Sequence, residues 1–425
     1  MKPLLAASLA ALLLSTAFLA RSADLDQQAN SLLASAKFKA ARASIDRDYE
    51  RIIDDVITLT EIEAPPFQEE KRGKAYMEML RQHGLDDVKM DAVGNVMGLR
   101  RGSGKGPLIV VAGHLDTVFP AGTNVKVRRE GNKLLAPGIG DDTSSLSVIL
   151  SMIRAMDAAN YHTDADILFV GDVGEEGPGD LRGMRHLFKE SEYKGKIKYF
   201  ISFEPFPTGK IINGGTGSRR YKVTFSGPGG HSMGSFGLVN PAYALGWAVN
   251  EFSNLKVPGT PKTVYNVGIL EGGTSVNSIP FNVAMTVDMR SNGQAELDAL
   301  EKQFLDILPK AVDHENAARS TANGKITYEA KLIGDRPAGL TPESALIVRT
   351  AAAVVKAGGR TLEYEAGSTD SNIPMNLGIE AMTLGNGFES FRAHSLEEGI
   401  ELNRPDDVKN ISLGLATVLL LAGAR

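Results

Sequence analysis

An apolar run that stops at a histidine and an acid constrains this chain more than any other feature: Pro107 to Ala112, followed by Gly113-His114-Leu115-Asp116-Thr117-Val118. A run of that kind reads as a buried strand. Side chains alternate along an extended chain, so His114 and Asp116, two residues apart, project to the same side of the strand's mouth. Neutral imidazole and carboxylate oxygens suit a borderline divalent ion such as Zn²⁺, but one of each is too few for a closed shell. The remaining ligands must come from farther along, and Asp141-Asp142, Glu175-Glu176, Glu204 and His394 follow at strand ends.

Strand and helix patterns alternate around this run: strand Leu108 to Ala112, helix Ser144 to Ala158, strand Ala165 to Val170, helix Leu181 to Glu190, strand Tyr199 to Phe203. Such alternation gives βαβ units and a sheet covered by helices on both faces. Ligands of open α/β sheets gather at the carboxyl ends of the strands, and His114, Asp116, Glu175, Glu176 and Glu204 all lie just past such ends. Upstream, residues 26 to 62 read as amphipathic helix, with Ile45, Tyr49, Ile52, Ile53 and Val56 at helical spacing.

Near Gly217 the pattern changes. Arg220 to Phe225 alternates as a half-buried strand, Pro241 to Asn254 reads as helix, Thr263 to Leu270 and Val283 to Met289 as strands, Ala295 to Leu308 as helix and Lys325 to Leu332 as strand. That is one β-α-β-β-α-β set, the size of a small α+β domain. A helix at Pro342 to Ala357, an apolar run at Ala381 to Leu384 and a last helix at Pro405 to Ala422 then return to the first style. The expected fold is therefore α/β, a mixed sheet flanked by helices, with an α+β domain inserted: residues 23–215 and 335–425 form the larger domain and 216–334 the insertion.

A chain of 425 residues is too long for one ordinary domain. Its net charge of −5, with both signs interspersed, leaves no basic stripe to neutralise phosphates, so nucleic acid is not an expected partner. Residues 1–22 read as a secretory signal peptide: Lys2, the apolar stretch Leu4 to Ala20, and a small-residue cleavage context that places the cut after Ser22. An uncleaved anchor is the competing reading, but no stop-transfer flank follows. With no cysteine there is no lipid-modified Cys, no disulfide and no thiolate ligand. The expectation is an exported chain, in a bacterial periplasm or secreted, with no stable membrane span after processing.

Pro137-Gly138-Ile139-Gly140-Asp141-Asp142-Thr143-Ser144-Ser145 joins a short strand to a helix. Its glycines allow tight turns, and a carboxylate here can reach a metal held by His114; equally, Asp142 before Thr143 and Ser144 is good helix-capping chemistry. In Val170-Gly171-Asp172-Val173-Gly174-Glu175-Glu176-Gly177 two adjacent carboxylates follow an apolar strand. Adjacent side chains at a strand end diverge, so one can bind metal while the other faces the place of a reacting water. A lone Glu-Glu would be a solvated acidic turn. Ser202-Phe203-Glu204-Pro205 repeats the scheme, because Pro205 cannot extend the ladder and leaves Glu204 at the tip.

In order, spacing and context, from about residue 50 to the C-terminus, this set resembles the co-catalytic zinc metallopeptidases that include glutamate carboxypeptidase, aminoacylase, succinyl-diaminopimelate desuccinylase and the bacterial tripeptidase. The resemblance implies two Zn²⁺ per chain, with Co²⁺ or Mn²⁺ as substitutes. His114 would bind one, Asp141 bridge both, Glu176 bind the second, Glu204 complete the first and His394 the second. Asp116 would orient His114, and Glu175 would be the general base. A zinc-exopeptidase-like catalytic domain is implied, the insertion being a lid through which a homodimer forms.

Gly229-Gly230-His231-Ser232 resembles the lid histidine motif that stabilises a tetrahedral oxyanion; otherwise a lone His beside Gly-Gly is a turn residue. Asn277 and Arg290 resemble polar substrate contacts, a guanidinium being matched to a substrate carboxylate. Gly367-Ser368-Thr369-Asp370 resembles a substrate-proximal loop, with Ser368 and Thr369 as contacts and Asp370 equally readable as a helix cap. Two departures stand out: Thr143-Ser144-Ser145 where Lys-Gly-Gly is common, and Phe388-Glu389-Ser390 where a Gly-rich stretch is common.

The expected function is a dinuclear zinc hydrolase that cleaves an amide bond in small peptides, an exopeptidase of di- or tripeptidase or carboxypeptidase type. Two ions polarise a water, Glu175 takes its proton, the hydroxide attacks the carbonyl and Glu175 passes the proton to the leaving amine. An N-acyl-amino-acid deacylase is the alternative within the enzyme class. A catalytically silent peptide-binding protein of the same fold is the alternative outside it, against which the base Glu175 argues, since binding alone needs no base. A serine hydrolase is poorly supported, because the Gly-x-Ser-x-Gly string Gly230-His231-Ser232-Met233-Gly234 does not lead directly into a helix pattern, which begins only at Pro241.

Overall fold

The computed structural model describes residues 24–425; the expected signal peptide lies outside the described residues. The chain forms two compact units, one containing the residues up to Gly214 together with Leu340–Arg425, the other Gly215–Gly339. No described helix is long and apolar enough to cross a membrane.

The larger unit is built on a mixed sheet whose centre is four parallel strands in the order Asp166–Asp172, Leu108–His114, Ile197–Glu204 and Glu380–Gly385. A hairpin of Asp86–Met90 and Val96–Arg100 joins antiparallel at one side, and Lys210–Gly215 pairs antiparallel at the other. Strand alternation sends side chains of the central strands to two separate cores. Ile109 and Val111 pack with Leu146, Ile149 and Ile153 of the helix Ser145–Ala158 and with Ile52 and Val56 of the helix Tyr49–Thr60. Val110 and Ala112 pack with Met184, Leu187 and Phe188 of the helix Arg182–Lys189. Each large apolar side chain so buried contributes about 1.5–3 kcal/mol over exposure. Both faces being covered is what lets an unbroken apolar strand carry polar groups only at its tip.

The amphipathic segment expected over 26–62 is three helices, 24–34, Ala36–Arg47 and Tyr49–Thr60. Its periodicity is continuous, but Ser35 accepts from the Phe38 amide as a cap and Asp48 separates the next pair, so the chain bends around the core.

The smaller unit is a four-stranded antiparallel sheet in the order Thr263–Gly272, Asn282–Ser291, Gly217–Ser226, Thr327–Arg336. The helices Pro241–Ser253 and Gln294–Ala318 cover the face that carries Tyr221, Val223 and Phe225. The second helix was expected to end at Leu308; it continues through Pro309 to Ala318, because Ala311 and Glu315 prolong the buried stripe and Glu315 accepts from the Asn240 amide. The strand Thr327–Arg336 likewise runs past 334, so the unit closes at Gly339 and not at the expected 334.

Candidate active site

The carboxyl ends of the parallel strands deliver the candidate residues to one edge of the sheet. His114 ends its strand, Glu204 ends the next, and Glu175 and Glu176 follow Asp172 after a short turn. Three groups of metal-capable side chains meet there: His114, Asp141, Asp142 and Glu204; His114, Glu175 and Glu176; Asp141, Glu176 and His394, the ligand atoms of each group lying within 4.8 Å of one another. The two oxygens of Asp141 face different imidazoles, Oδ1 lying 2.8 Å from His114 Nε2 and Oδ2 3.2 Å from His394 Nε2. Glu176 Oε1 is 2.8 Å from the same His394 nitrogen.

Asp116 is buried and does more than the sequence suggested. His114 Nδ1 lies 3.1 Å from the Asp116 carbonyl oxygen and 3.7 Å from its carboxylate, so the backbone orients the ring at closer range. The carboxylate also receives the amides of the acidic turn: Gly174 at 2.9 Å and Glu175 at 3.1 Å on Oδ1, Glu176 at 2.9 Å on Oδ2. Burial pushes this carboxyl up, yet His114 and the Glu176 and Glu175 amides outweigh it and hold it below the usual range.

Charge in the cluster is poorly balanced by the chain itself. Burial drives Glu204 and Asp142 well above the carboxylate range, Asp142 and Asp141 adding to the effect on Glu204 and Asp141 to that on Asp142. Burial would lower His114, but Asp116 and Asp141 hold its pKa well up. His394 is pushed up to about 10 by Asp141 and Glu176. Crowded buried acids beside histidines that hold protons are a charge pattern that bound cations would offset, and nitrogen and oxygen donors are the set zinc takes.

The loop before the long helix explains the first departure from the expected motif. Thr143, Ser144 and Ser145 are all buried. Thr143 donates to the Gly138 carbonyl or pairs with Thr60, Ser144 donates to the Gly140 carbonyl, and Asn386 donates to both Ser144 and Ser145. Asp142 is not a helix cap: its Oδ2 accepts the His114 amide at 3.0 Å.

Two residues of this site were missed in the sequence. Glu398 accepts the Gly140 and Asp141 amides at 3.0 and 2.9 Å on one oxygen and the His394 amide at 3.2 Å on the other, tying the Asp141 loop to the His394 loop; burial pushes it up to about 7. Arg72, fully buried, donates to the Ile62 and Leu115 carbonyls and stands near Asp116, Glu398 and Asp142. A second Glu-Glu, Glu397-Glu398, three and four residues after His394 is a readable signal for Glu398, whereas Arg72 looks like any arginine on an amphipathic helix.

The substrate contacts fare differently. Thr369 is buried, its hydroxyl 2.8 Å from Thr383 in a network that includes Ser371 and Ser202, so it faces the interior; Ser368 is half-buried. His231, Asn277 and Arg290 belong to the smaller unit. There His231 and Asn277 are neighbours, the Ser232 amide donating to the Asn277 carbonyl at 2.9 Å. His231 Nδ1 accepts the Met233 and Gly234 amides, each at 3.2 Å, which leaves Nε2 as the N–H. Arg290 stands at the other end of the strand Asn282–Ser291, roughly 26 Å along at ~3.3 Å per residue, with Nε on Asp288.

The sequence pattern of peptidase family M20/M25/M40 matches residues 110–420. A succinyl-diaminopimelate desuccinylase of Corynebacterium glutamicum is 24% identical over 371 residues, 85% of this chain and 95% of that protein. The match to a LysW-lysine/LysW-ornithine hydrolase of Pyrococcus abyssi is local, 39% identical over 119 residues, 28% of this chain and 32% of that protein. The crystal structure of aminopeptidase PepT from Bacillus cereus has the same fold, with a TM-score of 0.71 at 20% identity over 88% of this chain and 98% of that one. With a metal-capable cluster at the carboxyl edge of its sheet and a family match over most of its length, the chain is a hydrolase of peptidase family M20/M25/M40.

Proposed function

We propose that the chain is a two-zinc exopeptidase that cleaves an amide bond in small peptides with Glu175 as general base. The observation that supports this is the gathering of two adjacent acids about the histidines: Glu176 Oε1 lies 2.8 Å from His394 Nε2, and Glu175 and Glu176 form with His114 one group whose ligand atoms fall within 4.8 Å. Ions held by His114, Asp141 and Glu204 and by Asp141, Glu176 and His394 would supply Lewis-acid polarisation of a water and of the amide carbonyl. Glu175 accepts the proton of the attacking water at a carboxylate oxygen and delivers it to the leaving nitrogen, so that amide and water become acid and amine. Asp116 holds the turn that aims it. His231, whose Nδ1 is taken by two backbone amides so that Nε2 carries the N–H, is proposed as the donor to the carbonyl oxygen as its charge grows.

Di- and tripeptides are the favoured substrates, since Gly-Ser-Thr-Asp with Asn372-Ile373-Pro374 and Asn376-Leu377-Gly378 resembles the peptidase branch of the family. The desuccinylase relative, alike over 95% of its length, favours N-acyl amino acids as the second reading. The test is one purified sample: metal content by elemental analysis, then turnover of alanyl dipeptides, trialanine and N-acetyl amino acids, with Glu175→Gln as the control. No turnover of any of them by a metal-replete parent would end the peptidase and deacylase readings.

Export and homodimerisation belong to the same proposal. The first rests on residues 1–22 and is tested by the N-terminus of the mature chain, expected at Ala23. The second is supported by the edge strand Thr263–Gly272, where Val264, Ile269 and Leu270 are exposed, and sedimentation showing only monomer at micromolar concentration would remove it.

A further inference from the structure

Asn95, in the turn of the hairpin beside the strand Asp166–Asp172, is wholly buried and takes no part in the chemistry described above. All its hydrogen-bonding capacity is directed at two stretches of backbone and one carboxylate. Oδ1 accepts the Val173 amide at 3.2 Å, and Nδ2 donates to the Gly183 carbonyl at 3.0 Å and to Asp91 Oδ2 at 2.8 Å. The amide's orientation follows from these partners, because a carboxylate and a carbonyl only accept. Asp91 Oδ1 receives the amides of Val93, Gly94 and Asn95 at 3.0, 3.0 and 2.9 Å, which locks the turn and seats the Asn95 side chain.

Val173 and Gly183 are the two stems of the turn that carries Glu175 and Glu176. The stems also meet each other: Gly183 donates to the Val173 carbonyl at 2.9 Å and Leu181 to the Gly174 carbonyl at 2.7 Å. Asp180 and Leu181 between them hold left-handed backbone, φ 51° and 59°, a conformation that non-glycine residues keep only where surroundings impose it. A Cβ on Gly183 would lie 2.3 Å from Asn95 Oδ1, so the contact is closed to any larger residue. Asp116 grips the tip of the turn through three amides; Asn95 grips its base.

We propose that Asn95, seated by Asp91, is a positioning residue that sets Glu175 for proton transfer through the backbone of Val173 and Gly183. This rests on the reading of Glu175 as the base. Asn95→Ala in the full chain should lower kcat about 10- to 100-fold, the usual cost of an outer partner of an active-site group, with KM within about 3-fold. Amide exchange at Gly174, Glu175 and Glu176 should quicken while that of Leu108–His114 stays slow. Combined with Glu175→Gln, the Asn95 change should add less than about 3-fold, since the group it positions is gone.

Equal loss of kcat in the parent and Glu175→Gln backgrounds would overturn the assignment, as would unaltered exchange at 174–176. If Asn95→Ala does not fold, Asp91→Asn, which keeps the turn's amide acceptor and removes the seat of Nδ2 together with the carboxylate oxygen 3.8 Å from His186 Nε2, is read by the same measurements. A parent inactive on the whole peptide and N-acetyl panel would refute the peptidase reading, while exchange at the turn would still decide whether Asn95 holds it.

Discussion

Asp116→Asn separates the two jobs of a buried carboxylate. The asparagine oxygen can keep the Gly174 and Glu175 amides that share Oδ1, but its NH₂ then faces the Glu176 amide, which loses its acceptor. An orphaned buried amide costs about 1–3 kcal/mol, and the two remaining bonds, no longer to a charged acceptor, weaken by about 1 kcal/mol each. The sum, about 3–5 kcal/mol, is within the ~5–15 kcal/mol margin of a folded domain, so the variant folds with a melting temperature lower by roughly 6–20 °C, at ~2–4 °C per kcal/mol. Because the folded-state pKa of Asp116 is depressed, its contribution is full above the unfolded value near ~3.9 and is lost as pH falls through the folded value. The gap between parent and variant should therefore be wide at pH 7 and narrow in acid. Calorimetry at both pH values and amide exchange at Glu176 make the assay. A variant as stable as the parent at pH 7, with Glu176 equally protected, would show that the turn is not held from Asp116.

Three further outcomes are expected. Purified chain reconstituted with zinc should hold two ions, and His114→Ala fewer, by elemental analysis. Glu175→Gln should retain both ions and substrate affinity while kcat falls about 10²-fold or more; loss of an ion in that variant would exchange the roles of Glu175 and Glu176. His231→Ala should keep its metal and lose about 10²- to 10³-fold in kcat. Mixing it with inactive Glu175→Gln chains should restore part of the activity if the donor comes from a second copy, and full activity of His231→Ala alone would reduce the residue to a turn.

The ligand-type residues were legible because each belongs to a local pattern, an apolar run with a polar tip, and physics ties such a tip to the carboxyl edge of a covered sheet. His114, Glu175, Glu176 and Glu204 could be found that way, and so could the β-α-β-β-α-β order of the smaller unit. Helix ends were less legible: nothing local at Leu308 says that Glu315 will find the Asn240 amide and carry the helix on.

What the sequence determined by itself is therefore the set of elements and the residues at their tips. Tertiary structure alone decided which backbone amides those tips would serve. Asp116, beside His114, became also the holder of a turn 58 residues away, Thr369 turned inward to Thr383, Arg72 and Glu398 became parts of the site, and Asn95 reached the backbone beneath the acidic turn. The reason is physical. A buried polar group must find a partner wherever packing brings one, and in this chain the partners of Glu398 and Asn95 lie up to 258 and 88 residues away, a separation across which no residue pattern is visible but the cost of an unmet hydrogen bond is fully felt.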